Sequence, residues 1–261
     1  MHLLIDNSNT RTKFALAEGD FISDWRAIIP TQELTQETIK DSLDGRVYQI
    51  ATICSVVPKA AKLLEQTLGV PCHRISCHSE MPIRIDYPKP EQIGADRLAN
   101  TVAAISRFGG PAIVIDFGTA VTFDVANEKG DYLGGAIAPG TASLRDYLHR
   151  RTALLPSIQL AEPKSAIGKS TEDAMQIGAV IGYRGLIREI LSSIKAELGG
   201  EPHIIATGGD AELISAGMPE IKHLYPHLTL DGILEIGLRN HQIQKKACYH
   251  PATSSKIAAH E

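Results

Sequence analysis

No stretch of the 261 residues approaches the ~20 consecutive apolar residues that a membrane-crossing helix needs, so no membrane span is expected. The chain starts with neither a basic n-region nor an apolar h-region and runs straight into a strand pattern, so secretion is not expected either. A basic run is missing, and the formal net charge is −4, which argues against nucleic acid as a partner. The four cysteines, Cys54, Cys72, Cys77 and Cys248, form no Cys-x-x-Cys pair and read as reduced thiols of a cytoplasmic protein. Cys72, His73, Cys77 and His78 lie close together, but no second ligand pair follows at finger spacing, so zinc is not expected. Low-complexity linkers are lacking too, and 43% hydrophobic residues exclude disorder. What remains is a chain with enough apolar material for one large domain or two packed lobes.

One stretch organises that chain. Residues 113–125 (Ile-Val-Ile-Asp-Phe-Gly-Thr-Ala-Val-Thr-Phe-Asp-Val) read as a buried strand, a tight turn and a return strand. Gly118 lets a ligand touch the backbone, Thr119 offers a hydroxyl and an N–H, and Asp116 offers a carboxylate. Such a set suits a metal–phosphate, although a single Asp-x-Gly-Thr turn is a weak motif and is more often only a turn. A second copy adds weight. The chain begins Leu3-Leu4-Ile5-Asp6-Asn7-Ser8-Asn9-Thr10-Arg11-Thr12-Lys13, and aligning Asp6 with Asp116 puts Ile5 on Ile115 and Ser8 on Gly118. Two such turns suggest a duplicated domain with a shared ligand in the cleft.

Strands are expected over 22–29 and 48–56, a surface helix over 31–43, a helix from Pro58 to Gly69, and loop over 76–90. Leu98, Val102 and Ile105 give one apolar face to a helix over 95–107, which places Asp96 and Arg97 in its first turn. The helix dipole favours Asp96 there and disfavours Arg97, which hints at an anionic ligand for Arg97. The same dipole and the adjacent guanidinium predict a lowered pKa for Asp96. Beyond Pro111 follow the second hairpin, a glycine-rich strand over 132–140, and helices from 141 and 171. A strand over 203–207 then leads through Gly208-Gly209-Asp210 into a helix, an arrangement that accepts anions or nucleotides. A final helix is expected over 230–244. Two short matches are set aside. Asp116-Phe117-Gly118 spells the magnesium motif of protein kinases, but their catalytic loop is missing. Gly168-Lys169-Ser170 resembles the end of a P-loop, but Pro163 stands where its first Gly belongs.

In order along the chain, these motifs resemble type III pantothenate kinases, within the actin–hexokinase–heat-shock-70 ATPase superfamily. The resemblance rests on 6–13, Pro90-Glu91-Gln92-Ile93-Gly94-Ala95-Asp96-Arg97, Asp116-Phe117-Gly118-Thr119-Ala120, 134–140, Ile167-Gly168-Lys169-Ser170-Thr171 and Thr207-Gly208-Gly209-Asp210, and runs to about residue 245. Gly94-Ala95-Asp96-Arg97 is its most specific element, and Ser8 departs from the family's usual Gly. The resemblance implies an α/β fold of two ribonuclease-H-like (actin-like ATPase) lobes, each a mixed sheet with flanking helices, and an active site in the cleft between them. The lobes would be 1–110 and 111–246, with a frayed tail at 247–261.

The activity it implies is ATP-dependent phosphorylation of pantothenate to 4′-phosphopantothenate, the first step of coenzyme A biosynthesis, by a homodimer. Carried over residue by residue, Asp96 resembles the catalytic base. Asp6, Asn7, Ser8, Asn9, Thr10, Arg11, Thr12 and Lys13 resemble the ATP phosphate loop, with Asp6 placed for the magnesium that accompanies ATP. Thr119 resembles a further ATP contact, and Gly208 and Gly209 would lie near the adenosine. Tyr87, Gly94, Ala95, Asp96, Arg97 and Thr171 match the pantothenate site, with Arg97 meeting the carboxylate. Asp116 matches the site of a monovalent cation, K+ or NH4+. Two alternatives on the same fold are a non-catalytic accessory factor and a different small-molecule phosphotransferase. Intact Asp6, Lys13 and Asp96 oppose the first, and 94–97 opposes the second.

Overall fold

The structure, a computed structural model, describes residues 1–249. The tail expected at 247–261 therefore lies, from residue 250 onward, outside the described residues.

The first sheet contains β1 (His2–Asn7), β2 (Arg11–Glu18), β3 (Phe21–Pro30), β4 (Ile50–Ser55) and β5 (Cys72–Arg74), in the order β3-β2-β1-β4-β5. β2 runs antiparallel to β1 and β3, while β4 runs parallel to β1 and β5. Helices α1 (Gln36–Ser42) and α2 (Pro58–Leu68) connect them. Helix α3 (Ala95–Phe108) leads to the second sheet. That sheet is built from β6 (Ala112–Phe117), β7 (Ala120–Ala126), β8 (Tyr132–Pro139), then β9 (His203–Gly208) and β10 (His223–Leu224), in the order β10-β9-β6-β7-β8. Again the second strand is antiparallel to its neighbours, and β9 and β10 are parallel to β6 and to each other. The two sheets therefore repeat one topology, as the paired Asp turns led us to expect. Helices α4 (Thr141–Arg151), α5 (Thr171–Ile177), α6 (Tyr183–Leu198), α7 (Ala211–Ser215) and α8 (Leu228–Tyr249) complete the fold.

Each sheet is covered on both faces, which is why β1 and β6 read as nearly continuous apolar runs. On the outer face of the first sheet, Leu3, Ile5, Phe14 and Ile53 pack with Ile39 of α1 and Leu64 of α2. The second sheet mirrors this: Ile113, Ile115 and Phe123 pack with Ile187 of α6 and Ile214 of α7. The inner faces meet two helices from distant parts of the chain. Leu4, Ala15 and Cys54 pack with Leu98 and Ala99 of α3 and with Ile233 and Leu234 of α8. The following turn of α3, Ala103 and Ala104, packs on Ala112 and Val114 of the second sheet. At the cleft end of both inner faces the apolar residues give way to Asp6 and Asp116, one pleat repeat beyond Leu4 and Val114.

Local signals explain where elements begin. Thr35 accepts the Thr38 N–H at 3.1 Å and the Thr38 hydroxyl accepts the Thr35 N–H at 2.9 Å, a reciprocal cap that starts α1. It also splits the helix expected over 31–43 into a 3-10 turn, Thr31–Glu33, and α1 proper. Pro58 occupies the first turn of α2. Strands β5 and β10 span only three and two residues, too short for an alternation pattern to mark them. Among the described residues no helix is long and apolar enough to cross a membrane.

Candidate active site

The two Asp turns face each other across a cavity of ≈ 570 Å³ between the sheets. Asp6, Ser8, Asn9 and Lys13 line it from one side, and Asp116, Gly118 and Thr119 from the other. In β1–β2 the cross-strand partner of Asp6 is Lys13, whose Nζ lies 3.0 Å from Asp6 Oδ2. In β6–β7 the partner of Asp116 is Thr122. The two turns differ by one residue: three residues (8–10) join β1 to β2, whereas two (118–119) join β6 to β7. The longer turn reaches across, and its Thr10 hydroxyl lies 2.8 Å from that of Thr119. A side chain at position 118 would meet only ordinary contacts, Ala120 O at 3.4 Å and Asp116 Oδ1 at 3.8 Å.

Not every residue of 6–13 points into the cleft. Alternation turns Asn7 and Thr12 away from the cleft, to the face that carries Ile5 and Phe14, where both are buried. Asn7 Nδ2 donates to Thr12 Oγ1 at 2.7 Å and Asn7 Oδ1 accepts from Ser55 Oγ at 2.6 Å, which stiffens the loop from behind. The side chains brought to the cavity are those of Asp6, Ser8, Asn9 and Lys13, and Arg11 lies outside it. Burial disfavours the Lys13 charge, but the Asp6 carboxylate and its hydrogen bond outweigh that and raise the Lys13 pKa, so it stays protonated.

Helix α3 delivers two more groups. Asp96 lines the cavity from the helix N-terminus, and its Oδ1 accepts the Arg97 N–H at 2.8 Å. One helical turn on, Asn100 Nδ2 donates to Asp116 Oδ2 at 2.9 Å, and Thr229 at the start of α8 donates to Asn100 Oδ1 at 2.7 Å. The lowered pKa expected for Asp96 is overturned. Burial is the largest effect and raises it, the bond from the Arg97 amide opposes, and the charge of Asp6 pushes it further up. Burial likewise pushes Asp116 up to about 6 against the Asn100 bond, aided by the charges of Asp96 and Asp6. Across the cleft from β1, Gly208 has φ +96°, and a side chain there would sit 2.6 Å from Asp116 Oδ1. Gly208 and Gly209 both line the cavity.

The guanidinium of Arg97 already has a carboxylate. Its Nε donates to Asp124 Oδ1 at 2.7 Å and its Nη2 to the Phe123 carbonyl at 3.2 Å. So the local mismatch with the helix dipole is answered within the chain by a residue of β7. Tyr87 lies beside this group, its ring centroid 6.3 Å from that of Tyr132, and a side chain at Gly134 would come within 3.3 Å of its Cε2. Gly94 caps α3, and Ala95 is buried beneath it. Thr171 is elsewhere. It lines a separate hollow of ≈ 480 Å³ with Tyr147, Leu148 and Met175, where no charged side chain is present. Sequence reasoning missed Asn100 and Asp124. The four-residue step from Asp96 could have found the first, and the shared strand face with Thr122 the second. Cys54, Cys72 and Cys77 are free thiols, and among the described residues no three His, Cys, Asp or Glu side chains are arranged to hold a metal ion.

Comparison with known proteins places this geometry. Residues 2–193 match the family model described as type III pantothenate kinase. A type III pantothenate kinase of Akkermansia muciniphila is 53% identical over 232 residues, covering 89% of this chain and 96% of that protein. Among solved structures, a Campylobacter jejuni protein proposed to be a Baf family transcriptional activator aligns over 92% of this chain and 99% of its own, with TM-score 0.61 and 19% identity. The activator of 2-hydroxyisocaproyl-CoA dehydratase from Clostridium difficile, solved with bound ADPNP, aligns over 99% of both chains, with TM-score 0.53 and 12% identity. At such identities the structural likenesses establish the two-lobed fold alone. The family match covers most of the chain, and the chain belongs to the type III pantothenate kinases.

Proposed function

We propose that the cleft between the two sheets carries out the family's ATP-dependent phosphorylation of pantothenate, the first step of coenzyme A biosynthesis, with Asp96 as the base. The observation that carries this is convergence: Asp6, Lys13, Asp96 and Asp116 line one cavity between two copies of the same hairpin. Phosphoryl transfer asks mainly for alignment and charge neutralisation. Lys13 and the turn at 8–10 meet the phosphates from the first lobe, and Thr119 and the backbone of 118–119 meet them from the second. Asp96 takes the proton of the 4′-hydroxyl. Its raised pKa suits this role, because a carboxylate moved toward neutrality is, in its ionised form, the stronger proton acceptor.

The donor set fits the cations that the family implies. Carboxylate oxygens are hard ligands, and burial, reinforced by the charge of Asp6 on Asp96 and by those of Asp96 and Asp6 on Asp116, raises both groups and marks a place short of positive charge. No three such side chains converge on one point among the described residues, so a cation here needs phosphate oxygens to complete its shell. Asp6 would hold the magnesium of MgATP, and Asp116 a K+ or NH4+ ion. Such ions neutralise charge on the transferring phosphoryl group. Pantothenate lies on the other side of Asp96, among Tyr87, 94–97 and the N–H groups of Arg97 that Asp124 leaves uncommitted.

The lobes are 1–110 and 111–246 in chain order, and the enzyme works in the cytoplasm as a homodimer. Support for the dimer comes from the apolar hollow that holds Thr171 and from exposed Tyr147, Leu154 and Ile167 on neighbouring segments. The test is ADP release coupled to acceptor, with pantothenate, a sugar or acetate offered in turn, with and without potassium. Pantothenate alone should support turnover. Equal turnover of another acceptor, or none with pantothenate, would overturn the assignment of 94–97.

A further inference from the structure

Asp124 of β7 is a charged residue whose side chain is fully buried in the inner face of the second sheet. The duplicated fold shows that nothing in the architecture asks for it. In β1–β2, Leu4 pairs across the strands with Ala15, two residues below the Asp6–Lys13 pair. In β6–β7, Val114 pairs with Asp124, two residues below the Asp116–Thr122 pair. Ala15 and Asp124 thus hold the same place in the two lobes. Ala15 packs as an ordinary core residue, and the first sheet is intact without a charge there. A buried ion pair is seldom more stabilising than apolar packing, so its presence in one lobe only calls for another reason.

The surroundings supply it. Three donors converge on the Asp124 carboxylate: Arg97 Nε at 2.7 Å, the Tyr132 hydroxyl at 3.1 Å and the Thr122 hydroxyl at 3.3 Å. The ring of Tyr132 also lies under the guanidinium, 5.9 Å from Arg97 Cζ. Gly135 makes the room: its φ is +156°, and a side chain there would run into the Phe123 carbonyl at 1.6 Å and Arg97 Nη2 at 3.2 Å. With Nε committed to Asp124 and one Nη2 hydrogen to Phe123, three of the five N–H groups of Arg97 remain for a ligand. Asp124 is too deep to touch a substrate. Arg97 adjoins Asp96, so whatever fixes one end of the guanidinium fixes the distance from the proton acceptor to the carboxylate site.

We infer that Asp124 is a positioning residue, whose buried carboxylate clamps Arg97 so that its remaining N–H groups meet the carboxylate of the acceptor. This rests on the reading of Arg97 as the group that receives that carboxylate. The same chemistry predicts an acid-selective acceptor site: the alcohol analogue of pantothenate gains nothing from the clamp.

The test is steady-state kinetics of the full chain, with pantothenate and ATP varied separately, for wild type, Asp124→Asn, Arg97→Ala and the double variant. Asp124→Asn should raise the KM for pantothenate on the order of ten-fold and leave the KM for ATP within about two-fold. Because it acts through Arg97, it should add nothing to Arg97→Ala in the double variant. With pantothenyl alcohol as acceptor, wild type and Asp124→Asn should perform alike. Effects that multiply in the double variant, or an equal rise in both KM values, would overturn the inference in favour of a purely structural role. If Arg97→Ala leaves the pantothenate KM unchanged, the reading of Arg97 itself fails, and the inference with it. Should Asp124→Asn fail to fold, Tyr132→Phe removes one bond to Asp124 and keeps the ring. It should show a smaller rise confined to pantothenate, and an unchanged pantothenate KM there would count against the clamp.

Discussion

Replacing Asp116 by Asn should make the cation-free enzyme more stable while destroying its activity. The magnitude follows from the site. Asp116 titrates near 3.8 in an unfolded chain and near 6 in the cleft, because burial and the charges of Asp96 and Asp6 oppose its ionisation. At roughly 1.4 kcal/mol per pH unit, keeping it charged costs the folded state about 3 kcal/mol. The sign is fixed by proton binding. Below pH 3.8 both states hold the proton and the cost vanishes. Between 3.8 and about 6 the folded state keeps a proton that the unfolded state has lost, so stability falls as pH rises. Above about 6 both are ionised and the cost is complete. Asn carries no charge at any pH, and its side-chain oxygen can still accept from Asn100. The variant should therefore gain up to about 3 kcal/mol at pH 8 and almost nothing at pH 4. Urea midpoints at pH 4.5, 6 and 8, in magnesium-free buffer with tetramethylammonium as the only added cation, measure this directly. Potassium with MgATP should erase part of the gain by stabilising wild type alone. A variant no more stable than wild type at pH 8, or a gain independent of pH, would refute the electrostatic account of the cleft.

Asp96→Asn should lower kcat by ~10²–10⁴ with little change in either KM, measured by ADP release. Because Asp116 is pushed up to about 6, kcat/KM for pantothenate should climb between about pH 5 and 7, and saturating potassium should move that limb to lower pH. Lys13→Ala leaves Asp6 without its partner at 3.0 Å and should raise the KM for ATP about ten-fold or more, well above any change for pantothenate. Leu154→Asp, at a side chain 89% exposed in the single chain, should convert the proposed dimer to monomer in sedimentation velocity without lowering the thermal midpoint of the monomer.

The fold was legible wherever a periodic pattern was long enough. Leu98, Val102 and Ile105 marked α3, and the repeated Ile-Asp turn marked both sheets, because those residues answer to local geometry. The candidate site was half legible. The misplacement of Arg97 against the helix dipole pointed to an anionic ligand, whereas the structure places a carboxylate of the chain itself beside it. Its partner was Asp124, 27 residues away on another element, and no local spacing encodes that pairing. The direction of the Asp96 shift was misjudged for a related reason. Its sequence neighbours all favour ionisation, whereas burial, which depends on how two sheets and α3 close together, opposes it and is stronger. Asn7 and Thr12 sit within a motif that resembles a phosphate loop, yet strand alternation turns their side chains to the face away from the cleft.

Helix α8 carries a consequence for how the chain is made. Its Leu230, Ile233, Leu234 and Ile236 cover the inner face of the sheet that begins at His2. Strands β1 and β2 thus wait for residues 230–236, translated long after them, before their inner face is covered. Vectorial folding of the first lobe as a finished unit is closed to this topology. Until synthesis reaches α8, Leu4, Ala15 and Cys54 lack part of their cover, and a nascent chain stalled before residue 228 presents that surface to chaperones. The first sheet and α8 are sewn to one another, and the first is complete only once the second has been made.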